Sequence, residues 1–144
     1  DGDEGSNLLR QARRLGIDGA VHFIGYVEDP DSYFNAIDIN VLTSRSESFP
    51  YVLLEGALHR LPTVATRVGG IPEMIVDGEN GFLFTPGDSG ALAQILIRLL
   101  GDGQLRREVG ERFYAHVKEN FSTAKMAATH VDIYKQILAA GTRR

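Results

Sequence analysis

The chain has 144 residues, 43% hydrophobic and 24% charged, with a formal net charge of −4 and no cysteine. That length carries a real core in one domain, and the acidic balance gives no electrostatic reason to expect nucleic acid as a partner. The lack of cysteine excludes disulfides, thiolate nucleophiles and Cys-ligated metal, and leaves a reducing cytoplasm as the default compartment.

The chain opens at Asp1-Gly-Asp-Glu-Gly without a methionine and is expected to be a fragment of something longer. No apolar stretch approaches the roughly 20 residues of a membrane span. Leu8, Leu9, Ala12 and Leu15 recur at helical spacing, and Gly16 supplies a residue suited to a left-handed cap. Val21-His-Phe-Ile24 is a short β-rich run that Gly25 stops. Asp31 or Ser32 is placed to cap a short helix through Tyr33 to Ala36. A strand over 37–42, a helix over 51–60, a strand over 62–66, a short helix over 71–76 and a last strand over 81–84 follow. Asp88 caps a helix whose Leu92, Ile95, Leu96, Leu99 and Leu100 form one stripe. Leu105, Val109, Phe113 and Val117 make a second stripe. Ser122 opens a third helix, where Met126, Ile133, Tyr134, Ile137 and Leu138 share a face expected in core or interdomain packing. Short β-rich runs separated by helices predict a doubly wound parallel α/β sheet followed by C-terminal helices. No repeat or low-complexity linker interrupts the pattern, so one domain over 1–144 is expected.

Straddling the junction between the loop after the 37–42 strand and the next helix is Glu47-Ser-Phe-Pro-Tyr-Val-Leu-Leu-Glu55, two carboxylates separated by seven residues. Pro50 suits the first helical position, where no donor is lost. A helix opening there offers unpaired N–H groups and the positive end of its dipole, a place for phosphate. Two acceptor-only carboxylates beside it match sugar hydroxyls. The plainer reading is a solvated loop charge and a polar helix residue, and the spacing alone is a weak motif.

The remaining candidates carry less. Asp29-Pro-Asp31 and Asp1-Gly-Asp3 spell D-x-D, but two carboxylates without further ligands make a poor cation site, and no metal is expected. His22, His59, His116 and His130 show no ligand spacing. Gly69-Gly70 is either a plain turn or a lining of the cleft that admits close backbone approach. Arg10, Arg13 and Arg14, and again Arg106, Arg107 and Arg112, read as solvated helix faces, with a peripheral contact to anionic lipid as the minority reading.

Several of these segments together resemble one family. Ser44-Arg-Ser-Glu-Ser-Phe-Pro-Tyr-Val-Leu-Leu-Glu55, Leu61-Pro-Thr-Val-Ala65, Val68-Gly-Gly-Ile-Pro-Glu73 and Asp77-Gly-Glu-Asn-Gly-Phe-Leu-Phe84 with Pro86-Gly-Asp88 are similar, in order, to retaining glycosyltransferases of family 4. These are the group 1 glycosyltransferases, of GT-B fold, and the likeness runs from about Gly2 to Tyr134. It implies a Rossmann-like C-terminal domain that binds the nucleotide-sugar donor in a two-domain transferase of polysaccharide or glycolipid biosynthesis. Retention of anomeric configuration is part of what it implies, as is a cytoplasmic location, with the cytoplasmic face of the membrane as a variant.

Residue by residue, the resemblance places Glu47 at the anomeric centre of the donor sugar, as the catalytic positioner or electrostatic stabiliser. Glu55 would hold the ribose hydroxyls. Backbone N–H groups near Phe49, Tyr51 and Val52 would hold the diphosphate or sugar hydroxyls, with Ser48, Pro50, Gly69 and Gly70 also at the donor. Gly25, Tyr26 and Val27 would meet the base. No cofactor beyond the nucleotide sugar is implied, and an N-terminal domain outside this chain would read an acceptor sugar, lipid or other small molecule.

The family's phosphate-contacting Arg and Lys, and its first two strands, are expected upstream. In the 3-2-1-4-5-6 order those strands are central. Arg60 stands where the family usually has glycine, and a left-handed backbone there costs roughly 1–2 kcal/mol. The alternatives are a non-catalytic nucleotide-sugar-binding module, or a GT-B epimerase or phosphorylase. Glu47 with Phe49-Pro50 and Glu55 favours the transferase.

Overall fold

The computed structural model describes residues 4–141. In chain order it contains α1 (Gly5–Arg14), α2 (Pro30–Asn35), β1 (Asn40–Leu42), α3 (Tyr51–Leu58), β2 (Thr63–Thr66) and α4 (Ile71–Met74). There follow β3 (Phe82–Phe84), α5 (Ser89–Gly101), α6 (Gly103–Asn120) and α7 (Thr123–Gly141). The chain divides into two compact units, one ending at Tyr33 and the other starting at Phe34.

In the first unit α1 closes with a Schellman cap. Gly16 takes φ 69°, its N–H reaches the Arg13 carbonyl at 3.0 Å, and the Ile17 N–H reaches Ala12 at 3.0 Å. The run Val21-His-Phe-Ile24 is not a strand, contrary to expectation. It forms no ladder among the described residues, and Phe23 and Ile24 are 50% and 61% exposed. A β-rich run becomes a strand only where a neighbour satisfies its N–H and C=O groups. The cap of α2 also differs: Asp29, not Asp31 or Ser32, accepts from the Ser32 N–H at 3.4 Å and from the Ser32 hydroxyl. Those two bonds hold the Asp29 carboxyl below its ordinary range.

The second unit contains the sheet. Its order is β1-β2-β3, all parallel, with Val41 opposite Val64 and Val64 opposite Phe82. Successive side chains of a strand face opposite ways, and the core divides accordingly. Ala65 and Leu83 pack with Leu53, Ala57, Ile71, Met74, Phe113 and Val117 on one face. Val64, Phe82 and Phe84 pack with Leu99 and Val109 on the other. Helices thus cover both faces, which explains why β2 and β3 are buried throughout.

β1 begins later than expected, at Asn40, where the ladder to Thr63 starts. Asn40 is buried and donates through Nδ2 to the Val52 carbonyl at 3.2 Å. α3 comes this close to β1 because Gly56 has no side chain; a Cβ there would lie 2.4 Å from Asn40 Nδ2.

α3 ends at Leu58 in a second Schellman cap, with Arg60 in the glycine position at φ 56°. Arg60 N–H reaches Ala57 O at 2.9 Å and Leu61 N–H reaches Gly56 O at 3.0 Å. The backbone at Arg60 is therefore left-handed. Its backbone penalty of roughly 1–2 kcal/mol is offset in part from α6. Arg60 Nε lies 2.8 Å from Glu111 and its guanidinium stacks 4.1 Å from the centre of the Tyr114 ring. The ion pair is half exposed and contributes about 0–1 kcal/mol, the stack about 0.5–1 kcal/mol.

The later helices start where their caps are. Asp88 accepts from the Ala91 N–H at 2.9 Å, Asp102 from the Leu105 N–H at 2.9 Å, and Ser122 from the Lys125 N–H at 3.2 Å. The stripes of α5 and α6 pack on the sheet as expected, except Leu100, which is 67% exposed. That of α7 does not: Met126, Ile133, Tyr134, Ile137 and Leu138 are all exposed, so the face is not part of this core. Among the described residues no helix is long and apolar enough to cross a membrane.

Candidate functional site

Three loops leave the carboxyl ends of the parallel strands: residues 43–50 after β1, 67–70 after β2 and 85–88 after β3. Open parallel sheets bind ligands at that edge. The first two loops are locked together. Thr66, the last residue of β2, donates its hydroxyl to the Ser44 carbonyl at 2.7 Å. Ser44 in turn donates its hydroxyl to Glu47 Oε1 at 2.6 Å. Glu47 is half-buried, and one of its oxygens is thereby oriented by a residue fixed to the sheet.

Gly69 and Gly70 lie directly against the Glu47–Ser48 backbone. A Cβ on Gly69 would stand 1.6 Å from the Glu47 carbonyl oxygen, and one on Gly70 2.1 Å from that of Ser48. Gly69 also takes φ 50°. Neither the space nor the dihedral admits a side chain, so this pair is more than a plain turn: it is the support on which the glutamate loop rests.

Pro50 is the N-cap of α3, with φ −75° and an extended ψ of 109°, and Tyr51 is the first helical residue. This corrects the placement of Pro50 one position further into the helix. Its extended ψ turns the chain out of the loop, and proline offers no side-chain oxygen to the helix start. No side chain of the described residues caps the helix. The Leu53 N–H bonds the Pro50 carbonyl at 3.1 Å, while the N–H groups of Tyr51 and Val52 receive no acceptor from the described residues. Two donors at the positive end of α3 stand open.

Glu55 lies one turn after Tyr51 and hence on the same helix face. Tyr51 is 71% exposed, Glu55 is exposed too, and the Glu55 carboxylate makes no hydrogen bond or ion pair among the described residues. Phe49 contacts Tyr51 edge-on at 5.8 Å and Phe121 at 5.8 Å. An open cavity of about 570 Å3 lies between this helix start and the α6–α7 junction, walled by Phe49, Tyr51, Phe121 and Met126; neither glutamate lines it.

The expected base contact falls in the first unit. Gly25 has φ 71°, Tyr26 is exposed and Val27 half-buried. Asp1 and Asp3 lie outside the described residues, and Asp29 is engaged as a cap. Among the described residues no three His, Cys, Asp or Glu side chains gather as a metal site. His59 bonds Asn35 at 3.2 Å and stacks on Phe34, and His130 bonds the Met126 carbonyl at 2.8 Å. The sequence reading missed the roles of Ser44, Thr66 and Phe121. Ser44 stood in the motif three residues before Glu47, a spacing at which a hydroxyl reaches a carboxylate in a turn. Nothing in the sequence marked Thr66 or Phe121.

The comparisons agree on one family. The family model for glycosyl transferases group 1 matches residues 1–102. N-acetyl-alpha-D-glucosaminyl L-malate synthase of Bacillus anthracis is 37% identical over 138 residues, 96% of this chain and 36% of that protein. The C-terminal domain of a glycosyl transferase group 1 family protein (LpcC) from Francisella tularensis superposes with a TM-score of 0.76 at 32% identity, covering 84% of this chain and 64% of that one. Anabaena Alr3699/HepE, solved in complex with UDP and glucose, gives a TM-score of 0.86 at 30% identity over 93% of this chain and 37% of that one. The chain spans well under half of the curated relatives it matches. Its fold, a parallel sheet with helices on both faces, is that of the Rossmann-like C-terminal domains of these GT-B neighbours.

Proposed function

The chain belongs to the glycosyl transferases group 1 family, and we propose that it is the donor-binding part of a retaining transferase that moves a sugar from a nucleoside diphosphate to an acceptor. One observation carries the assignment. A sheet-anchored carboxylate, Glu47, and a free one, Glu55, stand on either side of a helix start with two open N–H donors. The complex of the Anabaena neighbour with UDP and glucose supports a uridine nucleotide sugar as the first ligand to try.

The chemistry follows from charge. Breaking the bond between sugar and phosphate leaves negative charge on the diphosphate. The N–H groups of Tyr51 and Val52, with the α3 dipole, meet that charge without reorganising, and one such donor is typically worth about 2.7–4 kcal/mol. Glu47, held by Ser44, stabilises positive charge building at the anomeric carbon. Retention then follows from attack on the face the diphosphate leaves, with its oxygen taking the acceptor's proton. Glu55 accepts hydrogen bonds from the ribose hydroxyls and takes no part in bond breaking. The acceptor, a sugar, lipid or other small molecule, is read outside this chain. No metal enters the scheme, and the reaction is assigned to the cytoplasm or its membrane face.

The test is product analysis with the full-length protein and a panel of nucleotide sugars. Released nucleotide together with a new glycoside of unchanged anomeric configuration, read by NMR, supports the proposal. Isomerised sugar or sugar phosphate would instead make it an epimerase or a phosphorylase, and binding without turnover would make it a binding module.

A further inference from the structure

The α6–α7 junction holds a set of contacts that the donor scheme does not use. Asn120 Nδ2 donates to the His116 carbonyl at 3.0 Å and lies 3.3 Å from His116 Nδ1, while Asn120 Oδ1 accepts from Lys125 Nζ at 2.8 Å. An ammonium only donates, so the amide oxygen must face Lys125 and the amide nitrogen must face His116. His116 Nδ1 is therefore an acceptor, and the ring proton sits on Nε2. That Nε2 is buried and has no hydrogen-bond partner among the described residues. A buried donor without an acceptor is costly and uncommon, and calls for a reason.

The ring's neighbours suggest one. His116 packs 5.8 Å from Phe121, and Phe121 packs 5.8 Å from Phe49. Phe121 is held at the end of α6 by its N–H on the Val117 carbonyl at 2.9 Å. Phe49 sits between Ser48 and Pro50, directly before the open N–H groups of α3. The glutamate loop thus has two supports, the Gly69–Gly70 backbone against Glu47 and Ser48 and this aromatic line against Phe49. Resting on the donor-binding reading, we propose that Phe121 and His116 are positioning residues, which set the α3 start for the diphosphate by holding Phe49 in place. The orphan N–H is retained because the imidazole ring is what fits against Phe121.

The account is tested by a double-mutant cycle on nucleotide affinity in the full-length protein. UDP, GDP and ADP are titrated by calorimetry, and the nucleotide that binds most tightly is used throughout. Phe49→Leu and Phe121→Leu each weaken binding roughly three- to tenfold, the scale of one aromatic pair. The double variant weakens it no further than the worse single variant, because Phe121 acts only through Phe49. Effects that multiply would overturn the proposal. His116→Leu removes both the ring and the orphan donor, so Tm is unchanged or higher while binding weakens about threefold. Unchanged affinity in that variant would also overturn it. A wild-type protein that binds none of the three nucleotides would instead sink the donor-binding reading itself.

Discussion

The two glutamates of the motif occupy different kinds of structure. Glu47 stands in a loop whose backbone is pressed against Gly69 and whose side chain is tied to Ser44, itself bonded to the end of β2. Glu55 stands on an exposed face of α3 with no partner among the described residues. An anchored carboxylate presents one fixed oxygen to a short-lived charge, which suits preorganised electrostatics. A free carboxylate on a rigid helix keeps its acceptor capacity for a ligand that brings its own donors. In the proposed transferase the loop serves the reacting bond and the helix serves the nucleotide.

The contrast can be broken most strongly at its support. Gly69→Ala forces a Cβ into the Glu47 carbonyl, at a φ that only glycine takes easily. It should cost about 3 kcal/mol or more of stability, the upper end of overpacking, read as a large fall in Tm. A variant that kept both Tm and activity would show that the loop does not rest on that glycine. Ser44→Ala removes the bond that orients Glu47, a hydrogen bond to a charged group worth about 1.5–3 kcal/mol, with the lower end expected for a half-exposed carboxylate. Turnover should fall while donor affinity changes little. Equal losses in both would place Glu47 in ground-state binding.

The smallest effect lies at the far end of α3. Arg60→Gly relieves the left-handed arginine but loses the Glu111 and Tyr114 contacts, so the terms nearly cancel. Stability should rise by about 0.5 kcal/mol or stay level. A clear loss in urea melts would mean that the contacts from α6 outweigh the backbone penalty.

Much of this architecture could be read from the sequence, and the misses have physical causes. Asp88 and Asp102 cap the helices they precede because a cap needs only its own next turn. The stripes of Leu99, Val109 and Phe113 found the sheet because a periodic apolar face must be buried somewhere. Val21-His-Phe-Ile24 has the same β-rich character as β2 yet is irregular, since strand formation depends on a neighbour that no local pattern specifies. The α7 stripe has helical spacing and stays exposed for a related reason: periodicity predicts the helix, not its partner. At the site, Glu47 and Glu55 were legible as a motif. That Thr66, bonded to Ser44 across a separation of 22 residues, anchors the first was not, because such contacts come from topology. Arg60 is an intermediate case: its departure from the family's glycine marked the position, and the structure gives the conformation, φ 56°.

The unequal roles of the two glutamates are tested most directly by calorimetry on the full-length protein with Glu47→Gln and Glu55→Gln, titrating the free nucleoside diphosphate and the corresponding nucleotide sugar. Glu55→Gln should weaken both ligands alike, by about 1.5–3 kcal/mol, while Glu47→Gln leaves the free diphosphate untouched and abolishes transfer. If Glu47→Gln weakens the bare nucleotide as much as Glu55→Gln does, the two carboxylates share one task and the account is contradicted.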